Sequence, residues 1–292
     1  MKVSQIGELL LLAALWGGSF LFMRIAAPVL GPVWLIELRV LIAGLALLPL
    51  LFRLNRWEIV RAKAVPLFVF GCLNSALPFS FLAFASISLP AGFTSILNAT
   101  IPLFGTVVAA VWLKERPTYR QLVGLGLGFS GVVVLVGLKT FAATTAFVTA
   151  CGAGLMAALM YAIAAPYIKQ SLSGVPPLMI ATISQLSAAL FLLPALPFTV
   201  PKAIPTPTVM LSVIALALFS TSLAYILYFR LIQNVGSTKA LTVAYLIPAF
   251  AMLWGALVLK EPITVSMALG GLLVLWGTAI ANDLFTRLFK PV

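Results

Sequence analysis

The chain has 292 residues, of which 63% are hydrophobic and only 8% are charged, and its mean hydropathy is +1.18. A soluble domain carries about a quarter charged residues, so a soluble globular protein is excluded and most of the apolar surface must face lipid. The formal net charge is +12. In a membrane protein basic residues collect in cytoplasmic loops, so this charge does not indicate a nucleic-acid partner.

Ten apolar stretches are long enough to cross a membrane, since a spanning helix needs about 20 mostly apolar residues. The connections between them are short and rich in Gly, Pro and charged residues, and none is long enough to separate soluble domains. We therefore predict an all-α polytopic membrane protein with ten transmembrane helices. The predicted spans are 5–23, 32–52, 65–87, 91–113, 120–138, 146–168, 175–197, 208–229, 238–259 and 263–284.

The distribution of basic residues predicts the orientation. With the N-terminus in the cytoplasm, 13 of the 18 Lys and Arg residues fall on the cytoplasmic side and four on the outer side. Such a bias is typical of cytoplasmic loops. We expect a multi-pass protein of the cytoplasmic (inner) membrane with both termini in the cytoplasm.

An internal repeat divides the chain into two halves. The segment 101–115, which begins Ile-Pro and ends Leu-Lys-Glu, recurs 146 residues later as 247–261. Because each half holds five predicted spans, an odd number, the second half enters the membrane in the opposite orientation. We therefore predict two inverted five-helix repeats, at 1–145 and 146–292. This architecture is typical of alternating-access carriers, and an old duplication without transport is the alternative.

These features together resemble the EamA family of the drug/metabolite transporter superfamily, over nearly the whole chain. The resemblance is carried by Trp16-Gly17 in span 1, Arg39 in span 2, Pro102 and Pro248 in the repeated segments, the Leu-Lys-Glu ends at 113–115 and 259–261, and the Gly-rich fifth and tenth spans. Span 6 departs from the pattern at Pro166. The resemblance implies a ten-helix carrier. Since the chain looks most like the YddG-like exporters, it also implies export of amino acids or related metabolites.

Prolines inside three spans mark candidate binding positions. A proline frees the backbone carbonyl four residues earlier, and that carbonyl is costly in lipid unless it is satisfied or faces a cavity. The freed carbonyls are acceptors for an ammonium or hydroxyl group of a solute: those of Asn74, Asn98 and Ala244, upstream of Pro78, Pro102 and Pro248. A kink packed by neighbouring helices is the alternative.

Helical spacing also gathers polar and aromatic side chains onto common faces of spans 1, 3, 4, 8 and 9. An apolar pocket with a few polar groups is the usual form of a small-molecule site. Packing, or anchoring at the membrane interface, is the alternative for the aromatic residues. The candidate substrate-binding residues are Trp16, Ser19, Phe20, Asn74, Pro78, Thr94, Asn98, Pro102, Thr221, Tyr225, Tyr228, Tyr245 and Pro248.

Apart from charged residues at the ends of spans, three charged residues lie inside predicted spans, and none lies at a predicted midplane. Glu8 lies about one turn inside span 1, and Glu37 and Arg39 lie about one to two turns inside span 2. We predict a gate contact or proton coupling for these residues, and snorkelling to the interface is the alternative. A charged cargo would usually be stabilised by an opposite charge near the middle of the membrane, so this pattern favours neutral or zwitterionic cargo.

Catalytic and metal chemistry are not expected. The chain has no His, and Cys72 and Cys151 each stand alone in an apolar run, so no catalytic residue, metal site or cofactor is predicted. An intramembrane enzyme would need a nucleophile with a base, or an adjacent acidic pair, and the sequence offers neither. A lipid scramblase or an assembly protein is a third class.

The sequence therefore predicts a secondary transporter that exports small neutral or zwitterionic metabolites, foremost amino acids including aromatic ones, by alternating access. A drug or other metabolite carrier of the same family is the alternative. The expected partners are a small-molecule substrate and the lipid bilayer, and the sequence is compatible with a monomer.

Overall fold

The structure is a computed structural model of the chain and describes residues 3–54, 56–137, 144–201 and 203–282. Every regular element in these ranges is helical. In chain order they are α1 Val3–Leu54, α2 Trp57–Ala62, α3 Ala64–Gly71, a π-helix Cys72–Ala76, α4 Leu77–Ser88, α5 Ala91–Asn98, α6 Ile101–Trp112, α7 Tyr119–Gly137, α8 Thr145–Ser171, α9 Pro177–Leu192, a 3₁₀-helix Leu193–Phe198, α10 Pro207–Ala217, a π-helix Leu218–Leu223, α11 Ala224–Val235, α12 Ser237–Ala240, α13 Val243–Leu259 and α14 Val265–Ala281.

Within the described ranges, seven continuous helical segments are long and apolar enough to cross a membrane, and α13 and α14 are shorter apolar helices of 17 residues each. Large apolar side chains stand on the outer surface of the bundle, among them Val111, 77% exposed, and Val133, 69% exposed. Such side chains are favourable only against lipid. The protein is therefore a multi-pass membrane protein, and this part of the predicted fold is confirmed.

The first element consists of two helical arms that meet at Gly31. Gly31 has φ 75° and ψ 161°, a conformation that residues with a side chain rarely adopt. Pro32 follows and disfavours helical geometry at the residue before it. The prediction ended the first span at residue 23, whereas the first arm continues by about two turns to this bend.

Two long segments contain a π-helical turn at positions 146 residues apart, Cys72–Ala76 and Leu218–Leu223. Pro78 follows the first turn, but no proline follows the second, so proline alone does not cause this geometry. In the second turn the hydroxyls of Thr221 and Ser222 donate to carbonyls five residues earlier. These hydroxyls satisfy backbone carbonyl groups that lose their usual N–H partner in the wider π turn.

The helix of the fourth predicted span breaks after Asn98 and resumes at Ile101, with Pro102 in the first turn of α6. A proline fits there because the first turn of a helix has no use for its missing N–H group. The predicted span 238–259 begins instead at Val243, after the short helix α12. The two repeated Ile-Pro segments therefore differ in where the helix is interrupted.

The Gly-rich helices α7 and α14 pack closely against each other. A Cβ atom on Gly131 would lie 2.8 Å from the carbonyl oxygen of Gly270, and one on Gly124 would lie 2.6 Å from that of Gly277. Two helix backbones approach this closely only where both carry glycine. The four glycines therefore hold the two helices together.

Five of the basic residues used to predict the orientation lie outside the described residues: Lys2, Lys139, Lys202, Arg287 and Lys290. Cytoplasmic placement of the two termini therefore stays a prediction.

We expect Gly131→Val to destabilise the protein by about 1–3 kcal/mol, because the new side chain would meet the backbone of α14. Gly126→Val is the matched control, since it makes the same substitution on the same helix where nothing lies within 4 Å. The measurement is the melting temperature in detergent, followed by size-exclusion chromatography. Equal melting temperatures for the two variants would show that the close approach does not determine stability.

Candidate functional site

A cavity of about 820 Å³ runs into the helix bundle. Its wall includes Gln233, Leu241 and Asn282, which are exposed, so the cavity reaches the surface beside them. The ion pair between Glu8 and Arg230, 3.0 Å long, lies near this opening, and we call this side the N-terminal face. The volume is within the range of small-molecule sites.

The structure brings most of the predicted substrate-binding residues together on the wall of this cavity. Those that line it are Trp16, Ser19, Phe20, Asn74, Asn98, Pro102, Tyr225, Tyr228, Tyr245 and Pro248. They come from helices distant in sequence, as a shared pocket requires. Their contact with a substrate stays a prediction.

Three of the predicted residues do not line the cavity. Thr94 is fully buried, and its hydroxyl donates to the carbonyl of Pro90 at 3.2 Å. Pro78 is buried in the first turn of α4. Thr221 lies behind the wall, where its Oγ1 accepts a hydrogen bond from Arg39. Helical spacing placed these residues on the right helices but did not define which of them face inward.

Aromatic rings form much of the wall. Trp16 and Tyr228 have ring centroids 5.1 Å apart, and Tyr225 stacks on Phe229 at 5.9 Å. Phe79 and Tyr161 meet edge to face at 6.3 Å on another part of the wall. Such pairs form a rigid apolar surface suited to the apolar part of a solute.

Two buried polar atoms of the wall have no hydrogen-bond partner among the described residues: Oδ1 of Asn98 and Oγ of Ser220. A buried unpartnered polar group is unfavourable unless water or a ligand satisfies it. Ser220 belongs to the second π-helical turn, and Asn74, 146 residues earlier, lines the cavity from the first. Both π turns therefore present a polar side chain to the cavity.

Arg39 is the charged residue of the cavity wall and is only 4% exposed. Its Nε donates to Oγ1 of Thr221 at 3.1 Å, and the centre of its guanidinium lies 3.6 Å from the centroid of the Phe79 ring. This burial is burial within the protein, and the absence of charge at a span midplane stays a prediction. A snorkelling side chain would be exposed at the membrane interface, and this one is not.

Glu37 is also buried, at 4% exposure, but it does not line the cavity, and its Oε2 has no hydrogen-bond partner in the part of the chain that the structure describes. Glu8 pairs with Arg230, which links the start of α1 to α11. Gating or proton coupling by either carboxylate stays a prediction.

Several wall residues were not predicted from the sequence. Tyr161, Ala164 and Ala165 reach the cavity from α8, and Ile180, Ala181 and Ser184 reach it from α9. Tyr161 carried a usable signal, because a phenol hydroxyl in an apolar span needs a partner or a cavity. The alanines carry no such signal, because the sequence does not distinguish an alanine that lines a cavity from one that packs against a neighbouring helix.

On the opposite side of the bundle, which we call the far face, a cluster forms around Arg24 and Glu261, neither of which lines the cavity. Nε of Arg24 lies 3.1 Å from Oε1 of Glu261, and Nη1 of Arg24 donates to the carbonyls of Ser86 and Ile87. Oε2 of Glu261 accepts from the backbone N–H of Ala91, the first residue of α5, at 2.9 Å. The far-face cluster therefore joins the first arm of α1 to the end of α4, the start of α5 and the residues after α13.

No group of three His, Cys, Asp or Glu side chains in the described ranges is placed to hold a metal ion. The polar chemistry of the cavity is that of a guanidinium, amides, hydroxyls and phenols. Such groups bind and orient a solute.

The chain is similar in sequence to several transporters. It is 25% identical to an uncharacterized transporter of Archaeoglobus fulgidus, over 93% of this chain and 96% of that protein. It is 24% identical to the uncharacterized transporter YoaV of Bacillus subtilis, with 94% of each chain covered. A probable terminal-alkyne amino-acid exporter of Streptantibioticus cattleyicolor is 25% identical, over 97% of this chain and 95% of that one.

The fold is also found in a solved structure. A crystal structure with 19% sequence identity superposes with a TM-score of 0.67, over 99% of this chain and the whole of that chain. The sequence pattern of the EamA-like transporter family matches residues 5–137 and again residues 148–282. The relatives are transporters rather than enzymes, as the sequence predicted, and the chain belongs to the EamA-like transporter family.

Proposed function

We propose that the protein is a secondary transporter that moves small neutral or zwitterionic metabolites, with amino acids as the main cargo class, out of the cytoplasm by alternating access. The observation that carries this proposal is a solute-sized cavity that opens at the N-terminal face. We propose that the far-face cluster closes the other side. The similarity to a probable terminal-alkyne amino-acid exporter supports this cargo class.

The architecture we propose is ten membrane-crossing helices in two inverted repeats, 1–145 and 146–292, in the inner membrane. Three observations support it. The family pattern matches twice along the chain. The π turns lie 146 residues apart. Lys114 and Lys260, at the same offset, have φ values of 55° and 57°, and the residue after each donates its N–H to the carbonyl six residues before it.

In this proposal the N-terminal face is cytoplasmic, so the structure represents the inward-open state. The excess of Lys and Arg on this side in the sequence-based prediction supports the orientation, because such residues collect in cytoplasmic loops. We propose that a monomer suffices for transport, since residues of one chain line the cavity.

The repeat also suggests how the N-terminal face is closed in the outward-open state. The 146-residue offset relates Glu261 to Glu115 and Ala91 to Ser237, the first residue of α12. Glu115 is exposed in the present state. We propose that in the alternate state Glu115 accepts from the start of α12, as Glu261 now accepts from the start of α5. Carboxylates are favourable at a helix N-terminus because the free N–H groups point at them.

We expect Glu261→Gln to weaken closure of the far face, because the neutral amide loses charge-assisted bonds to Arg24 and Ala91. The probe is Ser19→Cys on the cavity wall, in a background without Cys72 and Cys151. A membrane-impermeant maleimide applied from the far face should label the variant about five- to tenfold faster than the parent.

Glu115→Gln is the matched variant in the other repeat. It should not raise labelling from the far face, since Glu115 makes no side-chain bond to that cluster. Equal labelling of Glu261→Gln and its parent would contradict the proposed closure.

We propose that the cargo lies with its apolar part against Trp16 and Tyr228 and with its amino group against Oδ1 of Asn98 and the nearby kink carbonyls. The aromatic wall and the unpartnered amide oxygen support this arrangement. An ammonium group would satisfy that oxygen, which otherwise loses the partner it would have in water.

The test of the function is counterflow in proteoliposomes loaded with a panel of metabolites that includes neutral and aromatic amino acids. We expect accumulation of a labelled member of the panel, driven by its unlabelled form. The same panel with and without a pH gradient separates proton-coupled from facilitated export. Absence of flux for every solute, with protein-free liposomes as the control, would contradict a transport function.

We expect Asn98→Ala and Tyr245→Ala to lower flux about tenfold or more while leaving the amount of inserted protein near the wild-type value. The first removes the unpartnered acceptor. The second removes a ring whose hydroxyl donates to the carbonyl of Thr278 at 3.3 Å. Initial counterflow rates, normalised to protein in the membrane, measure the effect. Full flux in both variants would show that the site is misassigned even if the protein is a transporter.

A further inference from the structure

We propose that Arg39 binds a carboxylate of the cargo, so that the transported class is solutes with a free carboxylate group. This inference rests on the proposed transport function and narrows its substrate. It begins from the burial of a charge for which the protein supplies no opposite charge.

The guanidinium of Arg39 has no acidic partner within 4 Å among the described residues. The ion pairs Arg24–Glu261 and Arg230–Glu8 involve other residues. Glu37 is two residues away on the same helix but forms no ion pair with Arg39, and its Oε2 has no hydrogen-bond partner there. A cation removed from water is strongly destabilised unless an anion or several acceptors replace the water. The described contacts of Arg39 are neutral: a threonine hydroxyl, a methionine sulfur and a phenylalanine ring.

These contacts leave hydrogen-bonding capacity on Arg39 unused. The guanidinium centre lies over the Phe79 ring, which offers it a cation–π contact but no oxygen acceptor for its N–H groups. Nε is used by Thr221 at 3.1 Å, and Nη1 reaches only the sulfur of Met23 at 3.9 Å, a weak acceptor. The donors left over form the fork that matches the two oxygens of a carboxylate. Because Arg39 is part of the cavity wall, a solute can reach them.

The other half of the protein shows that the structural contact of Arg39 does not need a positive charge. The 146-residue offset relates Arg39 to Gln185 and Thr221 to Ser75. Nε2 of Gln185 donates to Oγ of Ser75 at 3.0 Å, as Nε of Arg39 donates to Thr221.

In both halves, therefore, a long polar side chain donates a hydrogen bond to a hydroxyl in a π turn, and the residue before that hydroxyl lines the cavity. In one half the donor is a neutral glutamine. Gln185 does not line the cavity, whereas Arg39 does. The charge is present only where a solute can meet it, so its function is directed at the solute.

The comparison provides a variant that separates structure from recognition. Arg39→Gln introduces the side chain that the other repeat uses in this position and allows the hydrogen bond to Thr221 to be kept. The probes are two acid–amide pairs, L-leucine with L-leucinamide and L-phenylalanine with L-phenylalaninamide. They are compared at about pH 6, where the amino group of every probe is protonated. The readouts are counterflow rates in proteoliposomes and competition for uptake of the labelled amino acid.

In the wild type we expect each amino acid to compete at least about tenfold better than its amide. In Arg39→Gln we expect the apparent affinity for the amino acid to fall by about that factor, while the affinity for the amide changes less than about twofold. Gln185→Leu is the control on the other half. It removes the equivalent bond to Ser75 but should leave the acid-to-amide ratio unchanged.

An equal loss for acid and amide in Arg39→Gln would overturn the proposal and make Arg39 a purely structural residue. An undiminished preference for the acid would also overturn it. If Arg39→Gln does not fold, the wild-type ratio decides, and equal competition by acid and amide overturns the proposal. Transport of amines without a carboxylate, and of no acid, would overturn the role of Arg39 but leave the transport function intact. Absence of flux for all solutes would instead contradict the transport function itself.

Discussion

Hydrocarbon supplies no hydrogen-bond partner and little solvation for charge, so a polar group inside a spanning helix must find its partner in the protein or in a cavity. This constraint accounts for where the irregular features of the chain lie. The two π turns, the break after Asn98 and the buried guanidinium of Arg39 all reach one cavity. A helix interruption on the lipid side would leave carbonyl groups without partners. Irregular backbone and the site therefore occupy the same region because only there are they tolerated.

Close packing sets the geometry around that cavity. Gly124, Gly131, Gly270 and Gly277 let α7 and α14 approach until their backbones touch, and the contacts pair each glycine with one from the other half. Such contacts form a rigid pair of helices at one side of the bundle. In the proposed alternating-access cycle, movement then falls to the other helices, which meet at the far-face cluster through the side chains of Arg24 and Glu261. Contacts of that kind break and re-form at low cost, which suits a gate.

Much of this was predictable from sequence, for identifiable reasons. Apolar runs and the recurrence of 101–115 at 247–261 predicted helices and equivalent positions, because length and offset do not depend on packing. The burial of Arg39 at the cavity wall was not predicted, because counting turns from a helix end gives distance along the axis but not the distance from a cavity. The wall positions of α8 went unrecognised because alanine gives no signal of its surroundings. Glu8 and Arg230 could not be paired, since no pattern in one helix indicates which helix lies beside it.

The two halves share a framework and differ in the chemistry they present to the cavity. Phe79 and Tyr225 are equivalent by the offset and both line the wall, yet only Tyr225 carries a hydroxyl. Asn98 has an amide where Ala244 offers none, and the guanidinium of Arg39 lines the cavity whereas the amide of Gln185, its equivalent by the offset, does not. An exchange of conformation between halves needs only the shared framework. A solute with two unlike ends needs unlike partners, and these come from the positions where the repeats have diverged. In the proposed mechanism, symmetry thus accounts for the motion, and its local failures account for how the site holds a polar solute in one orientation.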